Sequence, residues 1–361
     1  MNRRSAAALL LAATLLSGSA VIAADAGSSS DPLITLSWLK DTFIPDTVAK
    51  AEKRIEDQME KMDSSALSGQ GISGSELRVK RGDVLRLETG NGLISLAGSL
   101  SGTSNGSIID LTTGTELTPG SALVLNHQYL AAENTSAVFS VISDTAVVRF
   151  TGNYQLSSSG EVDYNALADA LKALGLFKGS TVPYGSGYEL EAAPTRIQSL
   201  ILFLRLMGEE TAALDYSGGV VFSDVPSWAQ PYAAYAYDKG YAKGRGKDAQ
   251  GRVIFDSNTS VSADEYATFL LRALSYEEGI DFNWLTAVHD GVSLNVFTSG
   301  EEIMLKNKTF LRAQTVYLSY YALSAQVKGT GETLLDQLIG REAVDGAAAS
   351  QVIASAAGKR L

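Results

Sequence analysis

The spacing of apolar positions changes twice along the chain, and each change marks a boundary. After the basic start Met1-Asn2-Arg3-Arg4, residues 5–24 are nearly all Ala, Leu, Ile, Val and Ser, with small residues at Ala23, Ala24 and Ala26. That pattern predicts a signal peptide over residues 1–24, with an N-terminal membrane anchor as the alternative. Residues 31–63 then read as an amphipathic helical segment. Val48, Ala51, Ile55, Met59 and Met62 recur at three- and four-residue steps, and Lys50, Glu52, Lys53, Arg54, Glu56, Asp57 and Lys61 fill the other face. Such a helix either docks on a neighbouring domain or forms a short oligomerising coil. A Ser- and Gly-rich linker over residues 64–75 separates it from the next region of the chain.

From residue 76 to residue 155 the chain changes to short apolar runs broken by Gly, Asn, Ser and Thr. Strands are expected at 77–79, 84–87, 93–96, 108–111, 122–125, 129–131, 137–142 and 147–150. The turn signals between them predict a small all-β sandwich or barrel-like module. Arg81-Gly82-Asp83 spells an integrin-binding tripeptide but sits between two strand segments and reads as a turn. Past Ser157-Ser158-Ser159-Gly160 the period becomes helical. Ala166, Leu167, Ala170, Leu171 and Leu174 form a stripe that stops at Gly175, and Leu200, Leu204 and Met207 form another that stops at Gly208. This rhythm runs over residues 160–345 and leaves an Ala-rich tail, 346–361, as either a surface helix or a frayed end. The expected fold class is therefore multidomain α + β.

Composition narrows the chemistry. With 45% hydrophobic and 19% charged residues among 361, the bulk is globular. The formal charge of −11, or −13 once Arg3 and Arg4 leave with the signal peptide, argues against nucleic acid as a partner. Cysteine is absent and histidine is limited to His127 and His289, which removes disulfides, thiolate chemistry and multi-histidine metal sites. No later segment has the apolar run of a membrane span. Nor is there a dinucleotide fingerprint, a Walker lysine motif or a nucleophile elbow, and Glu209-Glu210 and Glu277-Glu278 are adjacent pairs whose side chains point apart. No cofactor, metal or catalytic residue is expected, and the chain reads as a non-enzyme.

The helical region repeats itself. Gly175-Leu176-Phe177-Lys178-Gly179 aligns with Gly240-Tyr241-Ala242-Lys243-Gly244, and Leu204-Arg205-Leu206-Met207 with Leu271-Arg272-Ala273-Leu274. A third copy appears at Tyr320-Tyr321-Ala322-Leu323, and Trp284 echoes Trp228. The phrase Phe222-Ser223-Asp224-Val225-Pro226-Ser227-Trp228-Ala229, followed by Gly240 and Gly244, resembles the S-layer homology domain. So do the second-helix starts Ala193-Pro194-Thr195-Arg196 and Leu311-Arg312-Ala313-Gln314. The resemblance covers residues 162–339. Residues 76–154 are similar to modules that precede such repeats in clostridial-type envelope proteins, a likeness that implies no activity.

The resemblance implies a C-terminal all-α pseudo-trimer of three S-layer-homology-like repeats. Its grooves would bind an anionic secondary cell-wall polysaccharide, typically through terminal pyruvylated N-acetylmannosamine. The family's arginine at the second-helix start contacts the anionic sugar, which points to Arg196 and Arg312, with Asp224 and Trp228 nearby. Gly244 and Arg245 would line a groove.

The residues themselves support part of this. A guanidinium fork at a helix start suits a ketal carboxylate, and Trp228 offers a face for a sugar ring. Lys239, Lys243, Arg245, Lys247 and Arg252 make a basic island around the second glycine loop with only Asp248 opposing them. Each has a plain alternative: Trp228 as a core aromatic, Asp224 as a helix N-cap or turn residue, the basic loop as solvated charge. The second copy carries Ala263 where the arginine belongs, so that groove should bind weakly. The first copy lacks the Asp-Val-Pro-Ser-Trp phrase, and the third lacks the glycine loop. The expectation is an exported protein held at a bacterial cell surface by the repeats, displaying the β-module. The alternative is an envelope assembly protein that self-associates through the repeats and the N-terminal helix.

Overall fold

The computed structural model describes residues 74–179, 187–306, 308–356 and 360–361. The expected signal peptide and the helical segment 31–63 lie outside the described residues. The described chain is mixed α and β, with sheets over residues 76–157 followed by helices.

Alternation of apolar and polar residues builds the β part. The strands are β1 (Glu76–Lys80), β2 (Val84–Glu88), β3 (Gly92–Ala97), β4 (Leu100–Ser104), β5 (Ile108–Asp110), β6 (Thr115–Glu116), β7 (Gln128–Ala131), β8 (Ser136–Val141), β9 (Thr145–Thr151) and β10 (Gln155–Ser157). They form two antiparallel sheets, ordered β1-β9-β3-β7-β5-β6 and β10-β2-β8-β4. Because side chains alternate across a strand, Leu85 and Leu87 of β2 point inward with Phe139 and Phe150, and all four are buried in one core. At the β1–β9 pairing Glu76 lies opposite Arg149 and the two form an ion pair of 2.6 Å. Asp83 of the expected turn is buried and accepts from the Lys80 and Ser159 backbone N–H groups, so the tripeptide is a structural turn.

One expected strand needs correction here, and β4 is a strand not expected. Residues 122–125 do not form a strand. Ala122 makes one isolated bridge to Ser101, and the Val124 N–H bonds the Tyr129 hydroxyl instead of a neighbouring strand. The strand at that edge is β4, Leu-Ser-Gly-Thr-Ser, in which Leu100 is the one large apolar side chain. At Gly102 an added Cβ would meet Leu117 at 2.6 Å and the Phe139 ring at 3.2 Å, so the inward position must be empty there and the alternation vanishes.

The helices are α1 (Tyr164–Ala173), α2 (Arg196–Leu206), α3 (Glu210–Leu214), α4 (Gln230–Asp238), α5 (Ala263–Ala273), α6 (Ala287–Ser293), α7 (Ser299–Leu305), α8 (Arg312–Ala322), α9 (Leu334–Gly340) and α10 (Gly346–Ser355). A 3₁₀ turn, Ser227–Ala229, precedes α4, and a small hairpin pairs β11 (Gly246–Lys247) with β12 (Val253–Ile254). α2, α5 and α8 each have 11 residues, and each touches the other two. α4 packs on α2, α6 on α5, and α1 on α8, so the first helix of the region closes against one of the last. All share one core, which includes Phe203, Tyr266, Phe269 and Tyr317.

The β and helical parts belong to one compact unit, Gly69–Leu361. Arg78 of β1 makes a two-pronged bond to Asp169 of α1, both prongs 2.9 Å. Asp144, in the β8–β9 turn, accepts from Gln314 of α8 at 2.8 Å. Residues 346–356 and 360–361 are not a loose tail. Asp345 caps α10, which packs on α1, and Arg360 and Leu361 are seated against α7 and α8. Among the described residues no helix is long and apolar enough to cross a membrane.

Candidate functional site

The start of α2 is fixed from two sides. Thr195 caps it by accepting from the Gln198 N–H, and Gln198 caps Thr195 in return. The Arg196 and Ile197 N–H groups donate to the Thr259 and Ser257 carbonyls on the segment leading into α5. Arg196 is thereby held with its guanidinium against the Phe255 and Phe269 rings, 4.8 and 5.6 Å from their centroids. It is only 7% exposed, and its Nε is buried without a hydrogen bond.

After α4 ends, Lys243-Gly244-Arg245 turns into the β11–β12 hairpin. Gly244 has φ +82°, and a Cβ there would stand 2.8 Å from the Ile254 carbonyl oxygen, so a side chain is excluded. The Arg245 N–H bonds that same carbonyl, which aims the Arg245 side chain toward α5. Glu265 and Arg272, two helical turns apart on α5, present one face to it.

These pieces enclose a cleft of ≈ 230 Å³ lined by Arg196, Lys243, Gly244, Arg245, Glu265 and Arg272, with Glu278, Thr268, Phe269 and Trp284. Glu265 Oε1 accepts from Arg196 Nη1 at 3.0 Å and pairs with Arg245 Nη2 at 3.1 Å. Glu278 Oε2 does the same for Lys243 at 3.0 Å and Arg272 at 2.5 Å. Arg245 also pairs with Asp256 at 2.7 Å. Burial pulls the Arg196 guanidinium below its ordinary pKa. Glu265 opposes that shift, while the charges of Arg245 and Arg272 add to it. Glu278 is held below the ordinary carboxylate value: burial works the other way, but the bonds from Arg272 and Lys243 outweigh it.

Of the residues expected from sequence, Arg196, Gly244 and Arg245 meet in this cleft. The other three do not line it. Arg312 starts α8 and is buried, with Nε donating to the Tyr188 carbonyl at 3.2 Å and its N–H to Ala192. Trp228 is neither core nor cleft wall; it stands 61% exposed on the 3₁₀ turn, and Trp284 is the tryptophan at the cleft. Asp224 is not an N-cap of the following helix. It is a turn residue whose two oxygens accept from the Phe255 and Ser257 N–H groups at 2.6 and 2.9 Å, which staples its turn to the segment that follows β12.

The basic island is largely neutralised. Glu265, Glu278 and Asp256, distant from it in sequence or beyond the hairpin, close on Arg245 and Lys243, and Arg252 pairs with Asp248. Sequence reasoning misses Glu265, Arg272 and Glu278 as site residues. For Glu265 the signal is the third residue of the aligned helices, where α2 and α8 carry Gln198 and Gln314, and for Arg272 it is the repeat alignment with Arg205. Among the described residues, no group of three or more His, Asp or Glu side chains could hold a metal ion. What the cleft offers is a desolvated, oriented cation set beside an indole face, suited to binding an oxyanion attached to something flat or ring-shaped. No protein-family model matches the chain, and no curated protein matches it.

Proposed function

We propose that the helical part is a three-repeat, S-layer-homology-like module, and that its cleft at Arg196 binds an anionic cell-wall saccharide, anchoring an exported chain that displays the β-module. The observation that carries this reading is Arg196: a guanidinium buried against two phenyl rings, lining an open cleft, with its Nε unbonded. A cation is taken this far out of water only where a partner rewards it, and Glu265 alone is shared between two arginines. The equal lengths and mutual contacts of α2, α5 and α8, each covered by a second helix, support a repeat reading. The cleft residues are paired cations and carboxylates facing an aromatic wall, an arrangement for recognition and not for bond cleavage.

The test is calorimetric titration of the full chain with the methyl glycoside of pyruvylated N-acetylmannosamine, against the same sugar without its ketal. Binding should require the ketal. Arg196→Ala should weaken it by about 2 kcal/mol or more, roughly thirtyfold. Arg312→Ala, outside the cleft, should leave it intact. Equal affinity for both sugars, or full binding by Arg196→Ala, would remove the reading and favour an assembly role.

A further inference from the structure

We propose that the Glu265 carboxylate is a built-in stand-in for the ligand: it holds the Arg196 and Arg245 guanidinium groups of the cleft and competes with an entering carboxylate for them. This rests on the reading of the cleft as an oxyanion site and names what regulates its affinity.

The comparison within the chain is what isolates the charge. Glu265 is the third residue of α5, and its Oε2 accepts from the Ser262 N–H at 2.9 Å, closing a capping box. Gln198 and Gln314 stand at the same position of α2 and α8, and their Oε1 atoms make the same bond to Thr195 and Leu311 at 3.0 and 2.9 Å. A neutral amide is therefore sufficient for the cap. The negative charge has its use on the other oxygen, Oε1, which is shared by two guanidinium groups from two different elements.

The charge count also defines the ligand. The cleft lining has four cations, Arg196, Lys243, Arg245 and Arg272, against two carboxylates, Glu265 and Glu278. Asp256 at the rim takes up one more positive charge through Arg245. One positive charge is left over, which matches a ligand that brings a single negative charge. One oxygen of each internal carboxylate already bridges two cations, Glu265 Oε1 and Glu278 Oε2, so a ligand oxygen gains the Arg196 or Arg245 guanidinium only to the extent that Glu265 yields it.

The experiment compares the full chain with Glu265→Gln and Asp256→Asn, titrated with the pyruvylated glycoside and with pyruvate. Thermal unfolding is followed with and without each probe. Glu265→Gln keeps the cap, loses stability when unliganded because Arg196, Arg245 and Arg272 repel, and binds on the order of tenfold tighter. Its ligand-dependent rise in melting temperature exceeds that of the parent chain. Asp256→Asn, at a half-exposed ion pair, tightens binding by a smaller factor and serves as the sole test if Glu265→Gln does not fold. Unchanged or weaker binding by the variant that folds overturns the inference and leaves the glycan reading standing. Tighter pyruvate binding by Glu265→Gln, with no binding of the glycoside by any chain, upholds the inference and removes the glycan. No response of any chain to either probe overturns both.

Discussion

Two buried glutamates in this molecule begin from the same local design and end with different uses. Glu265 and Glu301 are each the third residue of a helix and each closes a capping box, with Ser262 and Thr298. Glu301 is fully buried and has one cation, Arg360, whose Nε and Nη2 reach its two oxygens at 2.7 and 3.1 Å. Arg360 also donates to the Val296 carbonyl at 2.8 Å and lies over the Tyr321 ring. Next to it the Leu361 N–H bonds the Tyr317 hydroxyl, and Thr298 bonds the Leu361 carbonyl. Glu265 instead has two arginines on one oxygen, beside an open cleft, with the Nε atoms of Arg196 and Arg272 unbonded.

The electrostatics separate the two in sign. Burial opposes the charge of both arginines. For Arg360 the bond and charge of Glu301 win, and its pKa is raised; for Arg196 burial and the like charges of Arg245 and Arg272 win, and its pKa is lowered. One carboxylate holding one cation through both of its oxygens is a rivet. One carboxylate divided between two cations gives each of them half a countercharge.

The sharpest way to break the comparison is to remove the cation from the rivet. Arg360→Ala leaves Glu301 buried without a countercharge, and should cost about 3–5 kcal/mol of stability by urea unfolding. In a Glu301→Gln background the same substitution should cost far less, because the amide keeps the cap and needs no cation. Equal losses in both backgrounds would mean that Arg360 contributes packing alone.

A smaller effect separates the two tryptophans. Trp284→Ala removes a wall of the cleft and should weaken glycoside binding by about 1–2 kcal/mol. Trp228→Ala, at a solvent-facing turn, should leave both binding and stability within about 0.5 kcal/mol of the parent. The reverse outcome would move the sugar platform to the 3₁₀ turn.

That pair also shows how far the sequence can be read. Both tryptophans occupy the same place in a repeated pattern, and the pattern says nothing about which of them meets Arg196; only the packing of α6 on α5 does. Arg196, Gly244 and Arg245 are legible because a helix start and a tight glycine loop are local features. The apolar rhythm likewise marks most strands and helix stops, while β4 is hidden because Gly102 makes room for Phe139. Charge pairing is the least legible. The basic loop looks unopposed along the chain, and Glu265 and Glu278 reach it only in three dimensions, from another helix and its following turn.

The smallest effect concerns Glu278, the second shared carboxylate of the cleft, and it sharpens the comparison through pH. Its pKa is lowered in the folded chain; burial acts against this and the bonds from Arg272 and Lys243 prevail. A carboxylate with a depressed folded value contributes stability that is fully present above its unfolded value, 4.5, and is lost as pH falls through the folded one. The gap in stability between the parent and Glu278→Gln should therefore be constant from neutrality down to about pH 5 and close below it. Asp264, beside Glu265 on α5, has the opposite sign. Burial, with Asp290, Glu265 and Glu302 as like-charged neighbours, raises its pKa despite a bond from the Val288 N–H. Asp264→Asn should accordingly gain stability on the parent at neutral pH and lose that advantage as pH falls through Asp264's raised value. Urea midpoints of the three chains between pH 3 and pH 7 separate the two contributions. A parent-to-Glu278→Gln gap that is as wide at pH 3 as at pH 7 would show that Glu278 acts by packing, and the cleft would then hold one shared carboxylate instead of two.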